Sequence, residues 1–142
     1  MAFEKPVLIQ TFTAASAMTS ASLQYSFVKF AGSSENVIPC AAVTDLPIGV
    51  LQNLPGQGQL AEVLMLGVTK LRVGATDIGL VSTTSGVLGV DATGRGAILG
   101  APGVGAITTQ YVLGRVIQVD ATDDDGALCT AAINCITMTR AL

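Results

Sequence analysis

Any chemistry in this chain of 142 residues has to rest on carboxylates, thiols and a few cations, because it contains no histidine. The imidazole is the side chain best matched to proton transfer near neutral pH and a common metal ligand. Its absence excludes nucleophilic pairs of the Ser-His and Cys-His kind. Acidic residues are densest in DATDDDG, residues 120–126. A calcium loop alternates its oxygen ligands ahead of the glycine and closes on a glutamate, and neither feature is present, so this segment reads as a solvated turn. Glu4, Glu35, Glu62 and the aspartates have no spacing that recommends a paired-carboxylate mechanism. Cys40, Cys129 and Cys135 are odd in number and lack a CxxC spacing, which predicts buried free thiols instead of a disulfide framework or a zinc site.

The glycine motifs GQGQ, GRGAILG and GAPGVG lack the Lys-Ser/Thr pair of a phosphate loop and the strand-to-helix setting of a dinucleotide fold. They read as turns and bends. Six aromatic residues and no tryptophan make a poor stacking platform, and Tyr25, Phe27 and Phe30 are expected in the core. Lys70 and Arg72, two apart on one strand face, read as a solvated face near a strand end or as contacts to an acidic partner. These residues predict no enzyme, no metal and no cofactor.

Composition points towards binding. Half of the residues are hydrophobic, 12% are charged and mean hydropathy is +0.62, so a lone globule would have too little charge to cover itself. Such a chain is expected to bury surface against partners. A net charge of −3 with scattered cations gives no footprint for direct nucleic-acid binding. No apolar run reaches the ~20 residues of a membrane span. The N-terminal PVLI is far shorter than a secretion signal's apolar core, so neither membrane insertion nor secretion is expected. The length suits a single domain.

Short apolar runs broken by turn residues predict an all-β chain, a small β-barrel or β-sandwich. Strands are expected at LQYSFVKF (residues 23–30), at NVIPCAAV with Pro39 on an edge, and at IGVLQN. LAEVLMLGVTKLRV (60–73) is the longest strand-like run, with Leu60, Glu62, Leu64, Leu66, Val68, Lys70 and Arg72 expected on one face. Around Leu64 to Leu66 both faces are apolar, which places a barrel interior on one side and another layer or another subunit on the other. Gly67 marks a bend or bulge there. VLGVDATGRGAIL reads as strand, turn over 91–96, strand. YVLGRVIQVD resumes a strand with Tyr111, Leu113, Ile117 and Val119 on one face. In ALCTAAINCITMT, Cys129, Ala131, Ile133 and Cys135 share a face at spacing two. TDIGLVS (76–82) is compatible with a helical turn capped by Thr76 or with strand into loop, and residues 100–109 suit an exposed loop.

IGVLQN–turn–LAEV and LGRVIQV–turn–ALCTAAI form two similar segments, each read as a hairpin, with Gly114 matching Gly49 whether or not they are a true repeat. Residues 1–22 pair an apolar PVLI with a Ser/Thr/Ala tract that cannot form a core alone. They are expected to be an extended N-terminal arm that orders on a partner, with a disordered tail or an added edge strand as alternatives. Residues 23–142 are then the single β-domain.

At IGVLQN with its Pro/Gly turn, LAEVLMLGVTKLRVGA, VDATGRG and YVLGRVIQ, the chain resembles the capsid decoration (cement) proteins of tailed bacteriophages. The matching positions are Gly49 with Val50, Gly58, Gly67 with Val68, Asp91 with Gly94, and Gly114, covering about residues 40–135. Gly49, Gly58, Gly67, Gly94 and Gly114 are the expected structural turns. The resemblance implies a small all-β virion protein, made in the host cytoplasm. As a homotrimer it would bind the outer surface of an icosahedral head and bridge neighbouring major capsid proteins. Leu64, Leu66, Val68, Lys70 and Arg72 are the expected subunit interface, and Phe3, Val7, Leu8, Ile9 and Phe12 the capsid-contacting arm. The alternative is a small-ligand-binding β-barrel with Leu64, Met65 and Leu66 lining a cavity.

Overall fold

The computed structural model describes residues 4–74, 87–99, 111–119 and 125–140. The described residues form eleven strands and no helix: β1 Lys5–Thr13, β2 Phe27–Phe30, β3 Val37–Pro39, β4 Gly49–Leu51, β5 Leu60–Arg72, β6 Val87–Val90, β7 Gly96–Ile98, β8 Tyr111–Val112, β9 Gly114–Val119, β10 Leu128–Asn134 and β11 Thr139–Arg140. All but β8 and β11 belong to one sheet of order β3-β2-β4-β5-β10-β9-β6-β7, with β1 also paired to β5. All strand pairings are antiparallel, and the sheet curls on itself: Val73, just after β5, bridges Gly96 at the start of β7. Gly74 N donates to Gly96 O at 3.0 Å at the same point. The expected all-β class and small barrel are what the chain forms.

The strand β5 organises the molecule. Gly67 is partnered by Pro6 of β1 and by Ile133 of β10. Val63 and Leu64 are partnered by β1 and by β4. A strand has two edges, so β1 runs along one while β4 and then β10 share the other. Gly67 is required where the strands crowd: its φ is +133°, and a Cβ there would lie 2.6 Å from Val7 N.

The strict alternation expected along residues 60–73 does not hold. In the β1–β5 ladder, Ile9 pairs with Leu64 and Leu8 with Leu66, so Met65 is skipped. This bulge inserts one residue and exchanges the faces of the strand. Ala61 and Val63, before it, pack into a core with Met18, Val28, Val37 and Leu51. Leu64, Leu71 and Val73 pack into the other core, with Phe27, Leu88, Leu113, Ala131 and Ile133. Leu64 and Leu71 are an odd number of residues apart and could not share a core without the inserted residue. The double burial read at this point is therefore real. Two cores of one chain supply it, with no need for a second subunit.

Both hairpins form, β4 with β5 and β9 with β10. Asn53 and Gln59 hold the first turn: Asn53 Oδ1 accepts from Glu62 N at 2.9 Å, and Gly56 N donates to Gln59 Oε1 at 2.7 Å. The match of Gly114 to Gly49 is steric. A Cβ at Gly49 would strike the Leu64 carbonyl, and one at Gly114 the Ala132 carbonyl, although only Gly114 has a positive φ. Gly58 and Gly94 are turn residues, whereas Gly49, Gly67 and Gly114 lie in strands.

Three local expectations are corrected. Residues 23–26 turn instead of extending the strand, with Tyr25 at φ 65°. Ile117 is exposed and Val116 buried, because β9 has a bulge opposite Thr130 and Ala131. Residues 5–13, expected in an arm, are β1, so the added-strand alternative holds over that stretch. Backbone pairing to β5 is what fixes it, as most of its side chains stay exposed. Residues 76–82 and 100–109 lie outside the described residues.

Candidate interaction surface

Where the two faces of β5 exchange, the side not turned into the barrel carries Leu66, Val68, Lys70 and Arg72, all half-buried. An open apolar concavity of about 470 Å³ lies here, its walls formed by Val7, Leu66, Val68, Ala132 and Ile133. Arg115 and Asn134 also border it. Four of the five expected interface residues thus share a surface. The fifth, Leu64, does not: it is completely buried in the barrel core and is corrected to a core residue.

The two cations on this face are engaged within the chain. Arg72 Nε donates to Gln24 O at 3.0 Å and Nη1 to Gly126 O at 2.7 Å, tying the residue 21–26 turn to the start of β10. Arg72 N also donates to Tyr25 O at 2.8 Å, so the left-handed Tyr25 is held from both sides of its peptide. Lys70 Nζ lies 3.7 Å from Glu4 Oε1 and 5.5 Å from the centre of the Tyr25 ring. At half-exposed sites such contacts orient side chains and add little stability. Neither of the two earlier readings of this pair anticipated Arg72's role as a clamp.

The residues expected in the arm divide along β1. Val7 is 73% and Ile9 39% exposed, while Leu8 is half-buried. Phe12 packs edge-on against Phe30, with ring centres 5.5 Å apart, and against the second core. Phe3 lies outside the described residues. Leu60 of β5, paired with Thr13 at the end of β1, is 61% exposed. Leu60, Arg115 and Ala132 were missed as surface-forming residues. A large apolar residue directly after a polar turn, and a lone arginine in an apolar strand, were the available signals.

The remaining titratable groups have structural settings. Cys40, Cys129 and Cys135 are free and buried, as expected. Burial pushes the Cys129 and Cys135 thiols up to about 12 and Cys40 further still. Burial opposes ionisation of Asp45, but hydrogen bonds from Lys29 Nζ at 2.6 Å and from the Ala41 and Ala42 amides hold its carboxyl below the ordinary value. Arg95 Nη1 donates to Asp125 Oδ1 at 2.7 Å. Most of the acidic 120–126 turn lies outside the described residues, and among the described residues no cluster of acidic or thiol side chains is arranged to hold a metal. The expected ligand cavity of Leu64, Met65 and Leu66 is not formed: Leu64 fills the barrel core, Met65 packs on the second core, and only Leu66 reaches the concavity.

No family model matches the sequence, and no curated protein sequence does. Among solved structures, the chain is similar to the head fiber gp8.5 N base of bacteriophage phi29, with a TM-score of 0.57 and 20% identity. The match covers 95% of this chain and 97% of that one, so the two share a fold over essentially their whole lengths.

Proposed function

We propose that this chain is a non-enzymatic structural protein of a phage head. It binds the outer surface of an icosahedral shell as a homotrimer and bridges neighbouring major capsid proteins. The observation that carries the reading is the end-to-end likeness to a phage head fiber base, over 95% of this chain. The half-buried Leu66 and Val68, with the concavity beside them, supply the surface through which copies close a trimer. The exposed side chains of β1 are then the part directed at the shell. Repetition over many sites makes a modest interface effective, because each added contact is intramolecular once the first has formed. The partners are a second and third copy of the chain and the major capsid protein, with no direct role for nucleic acid or membrane.

The test is to mix the purified protein with undecorated heads of the phage that carries its gene and follow shell rupture during heating. Co-sedimentation with the heads and a higher rupture temperature support the reading. Heads that neither retain the protein nor gain resistance to heat exclude it.

A further inference from the structure

The outer edge of β1 carries main-chain groups that nothing in the described chain satisfies. Ala14 N donates to Gln59 O and Ala14 O accepts from Gly58 N, both at 2.8 Å, so the Ala14 backbone faces the β5 side. Strand alternation turns Phe12 and Gln10 the same way and leaves the amides and carbonyls of Thr11 and Ile9 on the outer side. Among the described residues, β1 pairs with no strand except β5. The two ends of this edge are closed. Val37 bridges Ala14 at one end, while Pro6, which has no N–H, and a bulge at Val7 blunt the other. The open stretch is Leu8 to Phe12, LIQTF, with no charge in it.

We propose that this edge pairs antiparallel with the same edge of a second copy of this chain, about a two-fold axis at Gln10. In that register Ile9 and Thr11 of the two copies exchange main-chain hydrogen bonds, Leu8 lies opposite Phe12, and the two Gln10 amides face each other. A two-fold contact uses the same patch twice, so the patch must tolerate itself. LIQTF does, because no like charges meet and each apolar residue finds an apolar or β-branched neighbour. The exposed Ile9 lies on this edge. The contact is separate from the β5 face and does not depend on trimer formation.

The test is light scattering on the full chain over a concentration series. Wild type shows a doubling step on top of whatever smaller assembly it forms. Thr11→Pro removes only an outward amide and therefore spares the β5 ladder. By deleting two hydrogen bonds of the pair it weakens the step about tenfold or more. Gln10→Lys alone and Gln10→Glu alone, each placing like charges across the axis, weaken the step, and an equimolar mixture of the two restores it. The proposal is overturned if wild type shows no doubling, if the single-charge variants double as wild type does, or if the mixture does not recover. Loss of head binding by Thr11→Pro without any doubling in wild type would assign the edge to a strand of the shell protein and likewise overturn it.

Discussion

Replacing Leu64 by alanine separates the two accounts of the double burial along β5. Leu64 is fully enclosed among Phe27, Val50, Leu71 and their neighbours. Leu→Ala at such a site costs about 2–5 kcal/mol, the transfer of the lost atoms plus the cavity left behind. At roughly 3–4 °C per kcal/mol for a chain of this size, Tm falls by about 6–20 °C. Val68→Ala, on the half-buried face, costs about 1 kcal/mol or less and moves Tm by only a few degrees. Thermal melts followed by circular dichroism, repeated at two protein concentrations tenfold apart, read both effects. The Leu64→Ala loss is independent of concentration because the contacts lie within one chain. A variant that melts within about 2 °C of wild type at high concentration, and loses stability only on dilution, would place Leu64 in a subunit contact and refute the intrachain core.

Removing the fork of Arg72 with Arg72→Ala costs about 1.5–3 kcal/mol in chemical denaturation, since two carbonyls, of Gln24 and Gly126, lose a charged donor. Arg72→Lys recovers little of it, because an ammonium on a flexible stem does not reproduce the planar fork. The three thiols resist alkylation at pH 8 in the folded protein and react together once it is unfolded in denaturant, which mass spectrometry counts directly. Asp45 has its folded pKa lowered, so its contribution is complete above the ordinary carboxylate value and lost as pH falls through the lower folded value. Asp45→Asn therefore lowers stability at neutral pH and flattens its fall below about pH 4, as read by urea midpoints across pH.

Much of the architecture was legible because it depends on period-two patterns and turn residues. Cys129, Ala131, Ile133 and Cys135 are buried together, both hairpins form, and Pro39 sits in the terminal strand of the sheet. Alternation misled wherever a bulge changes its phase, and a bulge arises from pairing with a distant strand. Met65 is skipped because of β1, more than fifty residues earlier in the chain, and Ile117 is turned out because of β10. For the same reason plain alternation groups Leu64 with Leu66 at a subunit interface, whereas Leu64 lies in the barrel core. The strand at residues 5–13 was hard to see because backbone hydrogen bonds hold it, with most of its side chains exposed, so the usual hydrophobic pattern is weak there. Arg72's partners are backbone carbonyls, which no residue type announces.

The central claim is that this fold serves on the outside of a phage head. Electron cryomicroscopy of undecorated heads incubated with the purified chain tests it most directly. The account predicts added three-lobed density on the outer surface at three-fold and quasi-three-fold positions, into which three copies fit with their Leu66 and Val68 faces towards one another. Heads whose outer surface is unchanged at saturating protein would contradict it.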